Sequence, residues 1–296
     1  MAFREFFSIF LKGILMGAAN ILPGISGGTI AFITGIYERL IYAINSLDFS
    51  FALLFLQGKK KEAVKALSRI DFGLFVPLLL GISVSFLLLS RFVKAMLTEQ
   101  TAIAYAFFLG LIAGSLILIL GHAAKSKFSK KVFIESTFVF FISFLFAFYF
   151  FSIPQLMLEH SPWLLFLSGI AAACAMLLPG ISGAYIVLVL GQYDYLLDAL
   201  QNLSFFPLFI FSLGMLLGFL GFSKVLAKLM EKYKTLVFAL LSGLVFGSLR
   251  MPAEKIIAAQ PVNYLAVILS ALAGFGIVIL IEKKASSVRA KSKSAF

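Results

Sequence analysis

A five-residue turn, Pro-Gly-Ile-Ser-Gly, stands twice in this chain in the middle of apolar sequence, at 23–27 and at 179–183. It constrains the fold more than any other feature. The surrounding residues repeat with it: Gly13 to Leu40 reads GILMGAANILPGISGGTIAFITGIYERL, and Gly169 to Leu196 reads GIAAACAMLLPGISGAYIVLVLGQYDYL. Without a gap, Gly13 falls on Gly169, Gly35 on Gly191, Tyr37 on Tyr193 and Glu38 on Asp194. Matches at one fixed offset on both sides of the turn identify a duplication. Proline and glycine at the centre of an apolar run interrupt a helix, so each copy is expected to fold as a helix, a turn and a second helix.

The chain has 296 residues, 61% hydrophobic and 13% charged, with mean hydropathy +1.06. A soluble globule carries about 25% charged residues, so this is an integral membrane protein. Long period-two alternation is absent, which excludes a porin-like barrel; the fold class expected is an all-α polytopic membrane protein. The net charge of +12 lies in short tracts between apolar runs, with no aromatic-interleaved basic module for nucleic acid. Cys174 stands alone and only His122 and His160 exist, too few for a zinc or thiolate site. No cofactor is implied.

Apolar runs lie at about 28–47, 72–90, 101–121, 132–151, 163–178, 183–200, 205–222, 235–249 and 262–281. Residues 6–22 imitate a signal peptide, yet their counterpart, Phe166 to Ala175, is mid-chain, so they are read as mature structure. Most runs approach the ~20 residues that span a bilayer. The arms flanking the two turns are shorter or interrupted by Lys12, Glu38, Arg39, Asp194 and Asp198, as expected of re-entrant hairpins. The duplication continues beyond them, pairing Gly81 with Gly214, Gly110 with Gly243 and Gly114 with Gly247. The offset falls there from 156 to 133, so the first half carries 23 extra residues, placed at about 51–71 in the stretch containing GKKKEAVKALSR. That stretch reads as a surface loop or an interfacial helix. The expected halves are 1–151 and 152–296.

Lysine and arginine accumulate in cytoplasmic loops. Four basic tracts, Lys59–Arg69, Lys125–Lys131, Lys224–Lys234 and Lys283–Lys293, can all be cytoplasmic at once, with both termini, in an inner (cytoplasmic) membrane. Three spans after each hairpin is an odd number, which inverts the second half relative to the first. Parity is unchanged if the hairpin arms cross fully. Inverted repeats with broken helices at the midplane are an architecture of secondary transporters.

Non-helical backbone at membrane depth must line a cavity or be covered by protein. Gly24, Gly27, Gly180 and Gly183 let backbone approach a ligand. The amides and dipole of the following helix, with the hydroxyls of Ser26, Thr29 and Ser182, suit an anion, phosphate above all. The competing reading, glycines that only pack helices, fits Gly110/Gly114 and Gly243/Gly247 better. Asn20 reaches either substrate or turn backbone. Glu38 and Arg39 lie roughly 18 Å beyond Ser26 along a helix, at a cavity mouth or in an interfacial ion pair. Asp194 and Asp198 are candidates for coupling to a proton or sodium ion, against ordinary helix-end acids.

At these residues the chain resembles the polyprenyl-phosphate (undecaprenyl-phosphate) transporter family, through GAANILPGISGGT with GIYERLI and through LPGISGAYIVLVLGQYDYLL. The resemblance covers nearly the whole chain. It implies a carrier that returns undecaprenyl phosphate from the outer to the cytoplasmic leaflet for cell-wall synthesis, the phosphate held between the hairpin tips and the isoprenoid tail in the bilayer. It implies a substrate site of Asn20, Pro23, Gly24, Ser26, Gly27, Gly28, Thr29, Glu38, Arg39, Pro179, Gly180, Ser182 and Gly183. The second copy has Met176 for Asn20 and Tyr185 for Thr29, so hairpin one is expected to dominate. Two other readings stay open: a secondary transporter of a small soluble anion, and, more remotely, an intramembrane serine protease using Ser26 or Ser182, which needs a base within reach.

Overall fold

The computed structural model describes residues 3–21, 26–47, 54–89, 92, 95–96, 99–124, 129–156, 158–259 and 263–293, with side chains outside 115–124 and 281–293. Among them every extended element is a helix. In the first half these are α1 (Phe3–Ile21), α2 (Gly27–Ile33), α3 (Tyr37–Asn45), α4 (Lys60–Leu67), α5 (Phe72–Val84, prolonged by a π turn at Ser85–Leu89), α6 (Thr101–Ala124) and α7 (Lys130–Phe150). The second half holds α8 (Pro162–Leu177), α9 (Gly183–Val189), α10 (Tyr193–Gln201), α11 (Phe205–Ser248), α12 (Arg250–Ala258) and α13 (Tyr264–Lys293).

The starts are written in the sequence. Asp71, Ser129 and Ser161 accept from the amides of Leu74, Val132 and Leu164 at 2.9, 3.3 and 3.3 Å, satisfying donors that a first helical turn leaves open. Stretches long and apolar enough to cross a membrane lie in Phe72–Leu89, Lys130–Phe150 and Phe205–Ala258, with shorter apolar ones at Thr101–Gly114, Pro162–Leu177 and Tyr264–Leu280. The chain is an all-α polytopic membrane protein. Its surface carries the aromatic and aliphatic side chains: on α7 Phe133, Phe138, Phe141 and Tyr149 are exposed while Ser143 and Ala147 are buried.

Small residues set the helix crossings, because in lipid close backbone approach replaces the hydrophobic drive. A side chain on Gly13 of α1 would strike the Leu78 carbonyl and Gly81 of α5; one on Gly169 of α8 would strike the Phe211 carbonyl and Gly214 of α11. One turn on, Gly17 faces Ser85 and Gly218 faces Ala173. The remaining pairs cross between halves. Gly110 and Gly114 of α6 lie against Ala271 and Phe275 of α13, whereas Gly243 and Gly247 of α11 lie against Phe140 and Phe144 of α7. The two halves therefore interlock, each lending its last helix to the other.

The apolar runs ending at 222 and starting at 235 are two helical segments of α11 that meet at a kink at Tyr233, whose angles are non-helical (φ −130°, ψ 40°). Ser223–Leu236 holds Lys, Leu, Ala, Met and Glu and neither Gly nor Pro, so helix propensity keeps the chain helical up to the kink on both sides.

Candidate functional site

Each hairpin is bent twice. Its second arm breaks at Gly35 (φ +72°) in the first copy and at Gly191 (φ +70°) in the second, a left-handed conformation that favours glycine. Both breaks close the same way. Gly35 N donates to Phe32 O and Ile36 N to Ala31 O; Gly191 N donates to Leu188 O and Gln192 N to Val187 O. This is the Schellman pattern that ends a helix.

The two turns meet. The amide of Gly180, buried, donates to Oγ1 of Thr29 at 2.8 Å. A side chain on Gly28 would sit 2.9 Å from the Met176 carbonyl oxygen. The Tyr37 hydroxyl, also buried, donates to the Leu177 carbonyl at 2.6 Å. Gly180 holds φ +88° with its Cα face against the Leu244 carbonyl group of α11, so this turn is clamped between hairpin one and a long helix. Pro23 and Gly24 lie outside the described residues.

The tips differ in what they leave open. In hairpin one the Gly27 amide donates to Asn20 Oδ1 at 2.7 Å, the Gly28 amide to Ser26 Oγ at 3.1 Å and the Thr29 amide to Ser26 O at 2.9 Å. Asn20 thus takes the turn backbone. In hairpin two Met176 packs over Gly183 where Asn20 packs over Gly27, and a thioether cannot replace the carboxamide oxygen as acceptor. Ser182 caps nothing with its side chain, and the amides of Gly183 and Ala184 meet no acceptor among the described residues. Hairpin two offers amides, Pro179 being wholly buried beneath them. Among its described residues hairpin one offers hydroxyls: Ser26 and Thr29 accept from amides and each keeps an O–H to donate.

Glu38 and Arg39 are adjacent but separately engaged. Glu38 receives Lys234 Nζ at 2.6 and 2.9 Å on its two oxygens, just past the Tyr233 kink. Arg39 forks onto Asp71, with Nε to Oδ2 at 2.7 Å and Nη2 to Oδ1 at 3.0 Å, while Nη1 reaches Glu5 at 2.8 Å. This guanidinium holds the Asp71 carboxyl below the usual carboxylate range. Sequence reasoning named neither Lys234, Asp71 nor Glu5 as partners; the basic tract and the insertion holding two of them read as topology signals. Tyr37 did carry a signal, its match to Tyr193, but no chemistry was attached to it.

Asp194 and Asp198 are exposed on α10, apart from the tips. The equivalent end of hairpin two is instead built on Gln192, fully buried, whose Oε1 lies 3.0 Å from His160 Nδ1. His160 stacks on Tyr195 with ring centroids 4.3 Å apart, beside a cleft of about 290 Å³ lined by Gln155, Leu156, Leu158, Glu159, His160 and Gly191. The histidine is therefore committed to Gln192 and Tyr195, not to Ser26 or Ser182. Among the described residues no cluster of His, Cys, Asp or Glu could hold a metal.

Paired hairpins meeting inside a bundle with an apolar exterior define a polytopic membrane protein built around two converging turns. The chain belongs to the undecaprenyl phosphate translocase-like family, whose profile matches residues 16–281. It is 35% identical over 246 residues to the polyprenyl-phosphate transporter of Vibrio cholerae serotype O1, covering 83% of this chain and 77% of that one. It is 29% identical over 255 residues to the polyprenyl-phosphate transporter of Staphylococcus aureus, covering 81% and 83%. No solved structure matches it.

Proposed function

We propose that this protein is a carrier, not an enzyme, for undecaprenyl phosphate or a related polyprenyl phosphate, returning the lipid from the outer to the cytoplasmic leaflet for cell-envelope synthesis. The family and the names of both relatives support the substrate class. The observation that carries the reading is the junction of the two turns, where the Gly180 amide meets Thr29. An isolated charge buried in a medium like hydrocarbon costs of order tens of kcal/mol, so a phosphate needs dedicated donors to cross. Here the hydroxyls of Ser26, Thr29 and Ser182 and the amides of Gly183 and Ala184 would receive it, while the isoprenoid tail stays in lipid through a lateral opening. Donation is thus shared between the hairpins, with hydroxyls leading on one and amides on the other.

Two inverted halves, 1–151 and 152–296, would rock about this junction and expose it to each leaflet in turn. The matching of Gly13/Gly81 by Gly169/Gly214, and of Gly110/Ala271 by Gly243/Phe140, supports equivalent halves. Re-entry of the hairpins from opposite faces, with both termini cytoplasmic, follows from the loop charges. Asp194 and Asp198 are the groups offered for coupling to a proton or sodium ion.

Ligand-induced thermal stabilisation of the detergent-solubilised protein tests the substrate class. A short-chain polyprenyl phosphate stabilises it, whereas the matching polyprenol and inorganic phosphate do not. Stabilisation by inorganic phosphate alone would replace this reading with a carrier of a small soluble anion.

A further inference from the structure

In the second half Asn202–Ser204 joins α10 to α11; in the first, the chain runs from Asn45 to Phe72 between the corresponding helices. That longer connection contains α4 and the residues before it, which present an unusual surface. At about 100° per residue, Ala63 and Ala66 share one face of α4, and both are buried against the protein. Val64 and Leu67, with Lys60 between them, form the next face, and both apolar side chains are exposed, Val64 by 65%; Phe55 and Leu56, which precede the helix, are exposed too, Leu56 by 84%. Lys61 and Lys65 occupy the face beyond. From Lys59 to Arg69 there are five cations and one acid, Glu62, and Lys59, Lys60, Lys61 and Lys65 form no ion pair among the described residues.

The position of α4 is as telling as its composition. Only Ser68–Asp71 separates it from α5, a tether of at most about 14 Å when extended. Asp71 caps the apolar stretch Phe72–Leu89, so α4 lies at the membrane end of that helix. A helix with an exposed apolar face and lysines around it, held at that depth, lies in the interface. Lysine stems bury along apolar surface while their ammonium groups stay at headgroup level. Uncompensated positive charge there selects anionic headgroups.

We propose that Phe55–Arg69 is a docking surface for anionic phospholipid, with Val64, Leu67, Phe55 and Leu56 in the acyl boundary and Lys59, Lys60, Lys61 and Lys65 on lipid phosphates. It recruits these lipids on one leaflet only, because the second half has no counterpart. Its short link to Asp71, which grips Arg39, places the recruited lipids next to the base of hairpin one. This surface is independent of what the protein carries.

The test uses full-length protein in vesicles of mixed phosphatidylcholine and phosphatidylglycerol. Trp163 is the only tryptophan, so Trp163→Phe with Val64→Trp gives a single reporter on α4, and Trp163→Phe with Leu56→Trp an independent second one. Bromine is placed on the acyl chains of either lipid in turn. Brominated phosphatidylglycerol is expected to quench about twofold more strongly than brominated phosphatidylcholine at equal fractions, and Lys60→Gln with Lys61→Gln and Lys65→Gln removes the preference. Equal quenching by both lipids, or none by either at both reporter sites, overturns the proposal. Transport is not the readout, so this outcome is separate from the fate of the carrier assignment.

Discussion

The hydroxyl of Thr29 accepts the amide proton of Gly180 across 151 residues of chain, at 2.8 Å and with Thr29 only 1% exposed. This one bond joins the tips of two hairpins that the sequence presents as copies of each other. Thr29→Val keeps the shape and removes the acceptor, stranding a buried amide. The expected loss is about 1–3 kcal/mol of stability, seen as a lower melting midpoint in detergent, with transport reduced further; Thr29→Ser retains both. An unchanged midpoint in Thr29→Val would show that the tips are not held by this contact.

Tyr37 makes the neighbouring link, to the Leu177 carbonyl. Tyr37→Phe removes one buried hydrogen bond and leaves the ring, which stands edge-on to Phe32 at 5.7 Å. A loss of about 1 kcal/mol is expected. Its partner in the repeat, Tyr193, is exposed, so Tyr193→Phe changes the midpoint little. Equal losses in the two variants would contradict this asymmetry.

Gly180→Ala meets two obstacles, the positive φ and the Leu244 backbone. Left-handed backbone costs a non-glycine residue roughly 1–2 kcal/mol, and the contact with backbone adds to it. Gly35→Ala, at φ +72° with open space around its Cα, incurs the first cost alone. The order of midpoints is therefore wild type, Gly35→Ala, Gly180→Ala, and its reversal would refute the clamped placement of the second turn.

The Arg39–Asp71 fork contributes stability above the ordinary carboxylate pKa, because Asp71 is held ionised by the guanidinium. As pH falls through the depressed value the carboxylate is protonated and the contribution is lost. Asp71→Asn flattens the acid side of the stability–pH profile, by about 1 kcal/mol or less given partial exposure. Profiles that coincide for wild type and variant would remove Asp71 from this role.

Much of this was legible in the residues. The paired PGISG turns, the register of their glycines and the polarity breaks at Lys12, Glu38 and Asp194 gave the hairpins, because proline, glycine and charge act locally on backbone and solvation. Partner choice was not legible. Glu38 with Lys234 and Arg39 with Asp71 and Glu5 depend on where helices far apart in sequence come to lie. The same holds for the exchange that sets α6 against α13 and α7 against α11. The substitution of Met176 for Asn20 was visible as an asymmetry, but what each residue does locally was not. Asn20 accepts the Gly27 amide, whereas the equivalent Gly183 amide meets no acceptor among the described residues.

The central claim is tested most directly by moving the lipid. Purified protein is reconstituted into sealed vesicles carrying a short-chain polyprenyl phosphate labelled with a reducible fluorophore, beside Ser26→Ala, Ser182→Ala and protein-free vesicles. Protein-dependent translocation by the wild type, diminished in both variants while their folded yield is kept, is the predicted result. Translocation no faster than in protein-free vesicles, with and without proton and sodium gradients, would contradict the assignment.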